Sequence, residues 1–141
     1  FVVGWAKPVP FNPYNLRAGR FGPAYVAAAG PAVNILLALV FAFFIRLGGA
    51  AALGPGALNL AGVVIWVNII LAVFNLVPVP PLDGSKLLFA LLPWRYRYIE
   101  EWLNRYQLFI LLLVLYLVIS TNFLVGVVSM VFKLLTGLSF L

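Results

Sequence analysis

The sequence predicts an all-α protein, a polytopic bundle of membrane helices. Its 141 residues are 65% hydrophobic and only 9% charged, whereas soluble domains average about 25% charged residues. The mean hydropathy is +1.14, and long apolar stretches recur along the chain. We therefore expect one membrane-embedded domain with about three spans and a short broken or re-entrant helix.

The first 23 residues are the exception to this helical pattern. Three prolines between positions 8 and 13 oppose a helix, because each lacks an N–H and pushes the preceding residue toward extended geometry. Trp5 and Lys7 are residue types that favour the membrane–water interface. Residues 1–23 are thus predicted to form an extended or β-hairpin segment at the membrane surface.

Two spans are predicted from length and apolar character. Residues 24–47 reach about 36 Å as a helix, enough to cross a hydrocarbon core of about 30 Å. Residues 60–77 cover about 27 Å as a helix. The uncharged stretch between these two spans is rich in Gly and Ala and is predicted to be a loop.

The second half of the chain is less regular. Residues 82–92 are apolar and end before Pro93, but they are too few to span a membrane and are expected to be re-entrant or interfacial. Residues 108–132 are predicted to form one tilted span, with two half-spans as the alternative because Ser, Thr and Asn interrupt them at 120–122.

Basic residues give the predicted orientation. They precede the first span and follow the second, while only Arg46 lies at the far end of the first. Because cytoplasmic loops are enriched in Lys and Arg, the N-terminal segment and residues 83–107 are predicted to be cytoplasmic. The net charge of +6 is therefore attributed to positively charged segments beside the lipid bilayer. We expect the bilayer as a partner and no nucleic acid.

Asparagines within the spans are candidate site residues. Asn34 follows Pro31 by about one turn, so its amide is expected either to bond backbone or another helix, or to face a substrate channel. Asn68 and Asn75 are seven positions apart and share one helical face. That face is expected to pack against protein because a buried amide needs partners.

Asp83 is the sole aspartate of the sequence and follows three prolines within six residues. An acid on irregular backbone near membrane depth is a functional-site hypothesis by default. Three hypotheses for the role of Asp83 remain at this point. It could be the N-cap of the helix that follows, it could form an ion pair with Lys86, or it could ligate a metal or relay protons.

Three stretches of the chain together resemble the site-2 protease family of intramembrane metalloproteases. The first is Gly-Trp-Ala-Lys-Pro-Val-Pro at 4–10 with Asn-Pro at 12–13. The second is Ala-Gly-Pro-Ala-Val-Asn at 29–34. The third is Asn-Leu-Val-Pro-Val-Pro-Pro-Leu-Asp-Gly at 75–84. The matches occur in the family's order and cover roughly residues 1–92.

This resemblance implies a zinc endopeptidase that cleaves transmembrane segments of other membrane proteins. It implies Asp83 as the third zinc ligand, beside two histidines of an HExxH helix whose glutamate is the general base. By the same resemblance, Asn34 and Asn75 would help to hold the substrate strand or line the cleft. Gly84 would permit close backbone approach near the metal or simply sit in the first helical turn. The sequence contains no histidine, so we expect the HExxH helix upstream of Phe1 and the 141 residues alone to be inactive.

Two other classes remain as alternatives. An ion or proton transport protein could use Asp83 with Asn68 and Asn75 on broken helix geometry. A structural membrane subunit would use Asp83 only to cap a helix.

Overall fold

The computed structural model describes residues 21–48, 52 and 54–138. Most of these residues are helical, and no strand occurs among them, which confirms the predicted all-α class. Six α-helices follow in chain order, with a 3₁₀ turn at Trp94–Tyr96: α1 Gly22–Arg46, α2 Pro55–Asn75, α3 Asp83–Leu91, α4 Arg97–Arg105, α5 Gln107–Thr121 and α6 Phe123–Thr136. The segment predicted to be extended or a β-hairpin lies, up to residue 20, outside the described residues.

Prolines set the starts of the two long helices. Helix α1 begins two residues before the predicted start, with Pro23 in its first turn. Helix α2 begins at Pro55, five residues before the predicted start. Proline fits both places because an N–H in the first turn has no intrahelical partner to lose.

The core lies where α1, α2 and α6 pack together. Its buried members come from all three helices: Ala38, Ala42, Ile65, Ile69, Val128 and Phe132. The alanines of α1 let the neighbouring helices approach closely. The rings of Trp66 and Phe132 meet edge to face, with 5.9 Å between their centroids, so α6 is fixed against α2 by aromatic packing.

The C-terminal hydrophobic block, predicted as one tilted span over 108–132 with two half-spans as the alternative, is divided into two helices. Asn122 has a φ of 52° and separates α5 from α6. Asparagine is one of the few residues that visit this left-handed conformation routinely. Helix α6 enters the core, whereas α5 has no buried residue.

Helices α4 and α5 form a bent pair at an angle of 77°. The described residues therefore contain two helices that are long and apolar enough to cross a membrane, or three if this pair counts as one span. Helix α4 carries the charged segment and buries none of its residues.

Arg46 ties the end of α1 to the end of α6. Its Nε donates to the carbonyl of Leu135 at 2.6 Å, and its Nη2 donates to the carbonyl of Leu134 at 2.8 Å. These carbonyls belong to the last turn of α6, where the helix dipole favours a cation.

Candidate metal-ligand site between α1 and α3

The turn between α2 and α3 contains three prolines and therefore has few backbone N–H donors. Two of the remaining donors form hydrogen bonds within the turn. The N–H of Val79 donates to the carbonyl of Val77 at 2.8 Å, and the N–H of Leu82 donates to the carbonyl of Val79 at 2.9 Å. Pro80 is fully buried, and its peptide bond to Pro81 is cis. The turn delivers the start of α3 directly beside the end of α2.

Asp83 is the first residue of α3, and Leu82 occupies the N-cap position. The Asp83 side chain accepts no hydrogen bond from the described backbone, so its reading as an N-cap is wrong. The hydroxyl of Ser85 instead donates to the carbonyl of Leu82 at 2.7 Å. Asp83 still lies at the positive end of the α3 dipole, which favours its negative charge.

Lys86 binds one oxygen of Asp83, as the spacing of three residues predicted. Its Nζ lies 2.8 Å from Oδ1, and the Asp83 and Lys86 side chains are 34% and 51% exposed. Among the described residues, nothing donates a hydrogen bond to Oδ2. Within the described part of the chain, the carboxylate therefore has one oxygen bound by an ammonium group and one oxygen without a hydrogen-bond donor.

Gly30 of α1 lies near this second oxygen. A β carbon built on Gly30 would lie 3.9 Å from Asp83 Oδ2. The next residue, Pro31, is fully buried. The structure thus brings the Gly-Pro stretch of α1 to the carboxylate of α3, a contact that no sequence pattern had specified.

Gly84 is enclosed by the end of α2. A β carbon at Gly84 would lie 2.5 Å from the carbonyl oxygen of Val77 and still closer to that of Leu76. Real β carbons do not approach other atoms this closely. Gly84, in the first turn of α3, therefore lets this turn lie directly against the backbone at the end of α2.

The candidate cleft asparagines are half-buried. Asn34 follows Gly30 by four residues and thus shares its face of α1, while Asn75 ends α2 before the turn. No described residue hydrogen-bonds to either side chain, so the bridge expected of Asn34 is absent from the described part of the chain. Asn68 donates from Nδ2 to the carbonyl of Val64, within its own helix, at 2.8 Å.

The donor set fits zinc only as a single ligand. A carboxylate oxygen is an ordinary zinc ligand, and no described residue donates a hydrogen bond to Oδ2 of Asp83. However, the described residues hold no group of three His, Cys, Asp or Glu side chains that could bind a metal. The sequence also has no histidine and no cysteine. A complete zinc site needs ligands beyond those of this chain.

Two helices that are long and apolar enough to cross a membrane, with one candidate metal ligand at the start of a short helix, indicate a membrane protein. Residues 47–118, half of the chain, match Peptidase family M50. The chain therefore belongs to this metalloprotease family, the family of the site-2 proteases.

One curated relative matches with 35% identity over 96 residues. It is the Bacillus subtilis (strain 168) protein named "Putative zinc metalloprotease YwhC". The match covers 64% of this chain but 44% of the relative, so the chain spans less than half of the relative's length. No solved structure matches the chain.

Proposed function

We propose that these residues are part of an intramembrane zinc metalloendopeptidase that cleaves transmembrane segments of other membrane proteins. In this proposal Asp83 supplies one of three protein ligands to Zn²⁺. The observation that carries the proposal is the divided environment of its carboxylate. Oδ1 is bound by Lys86, whereas Oδ2 lies near Gly30 and accepts no hydrogen bond from any described residue.

The remaining ligands are proposed to lie outside these 141 residues, in an HExxH helix. Support comes from membership of the M50 family and from the lack of histidine in the sequence. When bound, zinc lowers the pKa of a coordinated water to about 7 and so supplies a nucleophile at neutral pH. The glutamate of that helix would act as general base.

The role of this chain is to place the carboxylate and to border the cleft. The turn before α3 fixes Asp83 beside α1, and the close fit of Gly84 against α2 limits sliding of α3. Asn34 and Asn75 are proposed to hold an extended substrate strand, because each amide offers both donors and an acceptor. Neither amide is hydrogen-bonded to another described residue.

The site is proposed to open near the cytoplasmic surface. Gly30, in the first half of α1, lies beside Asp83 at the start of α3. The beginning of α1 and helix α3 are therefore at the same end of the bundle. The basic residues that follow Asp83 belong to this end: Lys86, Arg95, Arg97 and Arg105. Such an excess of Lys and Arg favours the cytoplasmic side. Cysteine labelling of Arg95→Cys from either side of sealed vesicles tests the orientation.

The decisive experiment is Asp83→Asn in the full-length, membrane-inserted protein. Asparagine keeps the size of the side chain but removes the charge that a zinc ligand needs. We expect near-complete loss of bound zinc and of cleavage of a transmembrane reporter, with insertion unchanged. Glu101→Gln is the matched control, since Glu101 is an exposed carboxylate on α4. Wild-type zinc content and cleavage in Asp83→Asn would overturn the proposal.

A further inference from the structure

We infer that helix α4 is an interfacial anchor, with one aromatic face inserted into the surface of the lipid bilayer. Three aromatic residues follow one another at intervals of four, Tyr98, Trp102 and Tyr106, so they share one face of the helix. Their side chains are 64%, 57% and 46% exposed, and the ring centroids of Trp102 and Tyr106 are 5.2 Å apart. The described residues thus leave this aromatic row largely uncovered.

The other face of α4 is polar and borders α3. Arg97 and Glu100 line a cavity of about 240 Å³ together with Lys86 of α3. Because a helix turns by about 100° per residue, Glu100 lies nearly opposite to Trp102. The aromatic row therefore points away from α3, toward the surroundings of the bundle.

The bend between α4 and α5 gives α4 its orientation in the membrane. The two helices meet at 77°, so if one of them crosses the bilayer, the other lies close to the plane of the bilayer. Residues 108–119 of α5 carry no charge and are apolar on every side, as expected of a helix surrounded by lipid. Helix α4 has one aromatic and one charged face, which is the pattern of a helix that lies in the interface. Helix α4 is therefore the member of the pair that lies along the surface.

A lipid surface fits the aromatic row better than a charged partner does. Tyr and Trp combine an apolar ring with a polar tip and are enriched at membrane–water interfaces. Helix α4 contains two arginines and two glutamates and so has no net charge. Its contact with the bilayer should therefore depend on the aromatic row more than on anionic headgroups.

This inference does not rest on the proposed zinc site, but it has a consequence for that site. Helices α3 and α4 border one cavity, and Asp83 begins α3. An anchored α4 would hold α3 near the membrane surface, and Asp83 with it.

Spin labels at single cysteines test the inference in the full-length protein, reconstituted into phosphatidylcholine liposomes. These 141 residues contain no cysteine, and any cysteine elsewhere in the protein is replaced by serine. Trp102→Cys places a label in the aromatic row. Asn104→Cys is the matched control, because Asn104 is also exposed and lies about 200° further around the helix. Leu112→Cys on α5, where the side chain is 58% exposed, is the reference for a label in lipid.

Collisions of each label with oxygen, which dissolves in lipid, and with a water-soluble nickel chelate give its depth. At position 102 we expect oxygen collisions to dominate, at a depth of about 5–10 Å in the boundary between headgroups and acyl chains. At position 104 we expect nickel collisions to dominate, and at position 112 a greater depth than at 102. Tyr98→Cys retains Trp102 and Tyr106 and should match Trp102→Cys, so that removal of one ring does not decide the result.

Three results would overturn the inference. Dominant nickel collisions at both 102 and 104 would place α4 in water. Few collisions with either reagent at 98 and 102 would mean that protein covers the aromatic row, either a second copy or a segment outside these residues. Equal depths at 102 and 112 would make α4 part of a span. None of these labels lies beside Asp83, so each of these results leaves the test of the zinc ligand unaffected.

Discussion

Gly84 lies against the carbonyl of Leu76 so closely that the first turn of α3 has no room for a β carbon at this position. The neighbour is backbone at the end of α2, not the tip of a flexible side chain. The register of α3 against α2 therefore depends on a missing side chain one residue after the proposed metal ligand. Fold and site are coupled at Gly84.

We expect Gly84→Ala to destabilise the protein and to displace Asp83. Overpacking of a tight site costs about 1–3 kcal/mol, and the upper part of this range applies because backbone must move. Unfolding of the full-length protein in mixed micelles would measure the loss, and metal analysis would show a lower zinc content. Gly126→Ala is the matched control, since a β carbon there meets nothing within 4 Å. Equal stability of the two variants would contradict the close fit at Gly84.

Phe132 anchors α6 in the core, and we expect Phe132→Ala to loosen that helix. In a membrane the surroundings of the bundle are as apolar as its core, so the loss of packing dominates over the transfer term. A residual cavity of about 100 Å³ at about 24 cal/mol per Å³ corresponds to about 2 kcal/mol. Phe123→Ala on the same helix removes a ring that is 65% exposed and should change the unfolding free energy little. The same micelle titration compares them, and similar losses would place α6 outside the core.

Arg46 connects two helix ends, and Arg46→Met should weaken that connection. Methionine keeps an apolar stem but loses both hydrogen bonds to the last turn of α6. We expect a loss of about 1 kcal/mol, in line with charge-assisted bonds at an exposed helix end. Arg105→Met removes another exposed arginine, at the end of α4, and should cost no more than about 0.5 kcal/mol. The micelle unfolding titration decides between them. A larger loss in Arg105→Met would argue against the link.

The two long helices and the short helix α3 followed from the sequence because apolar length and proline positions determine them, whereas α4 was not predicted as a helix. The short helix α3 was predicted over 82–92 and extends from Asp83 to Leu91. The break at Asn122 was harder to predict. In a membrane, a helix that faces lipid and a helix that packs in the core have similarly apolar sequences. The burial of Val128 and Phe132 could therefore not be predicted from composition.

The candidate site was predictable as far as local spacing reaches. The motif singled out Asp83, and the three-residue spacing predicted its bond to Lys86. The approach of Gly30 was not predictable from the residues, because it depends on how α1 crosses α3. One sequence feature could have indicated it: Gly30 and Pro31 lie inside a predicted helix, although both residue types disfavour helix interiors. Their presence indicates a role other than helix formation.

Gly30 gives the last prediction, in which stability and metal binding separate. Gly30→Ala should be tolerated or stabilising by up to about 1 kcal/mol, because alanine is the better helix former. Its β carbon would make only ordinary contact with Asp83, at 3.9 Å from Oδ2. Gly30→Leu adds carbons beside Oδ2, and we expect it to lower zinc content and cleavage.

The matched control for that variant is Gly126→Leu, which adds the same side chain to a position with open space around it. Both variants should unfold at similar denaturant concentrations, and only Gly30→Leu should lose zinc. Full zinc occupancy in Gly30→Leu would mean that Oδ2 meets its metal away from α1. In that case the Gly-Pro stretch would serve helix packing rather than the metal site.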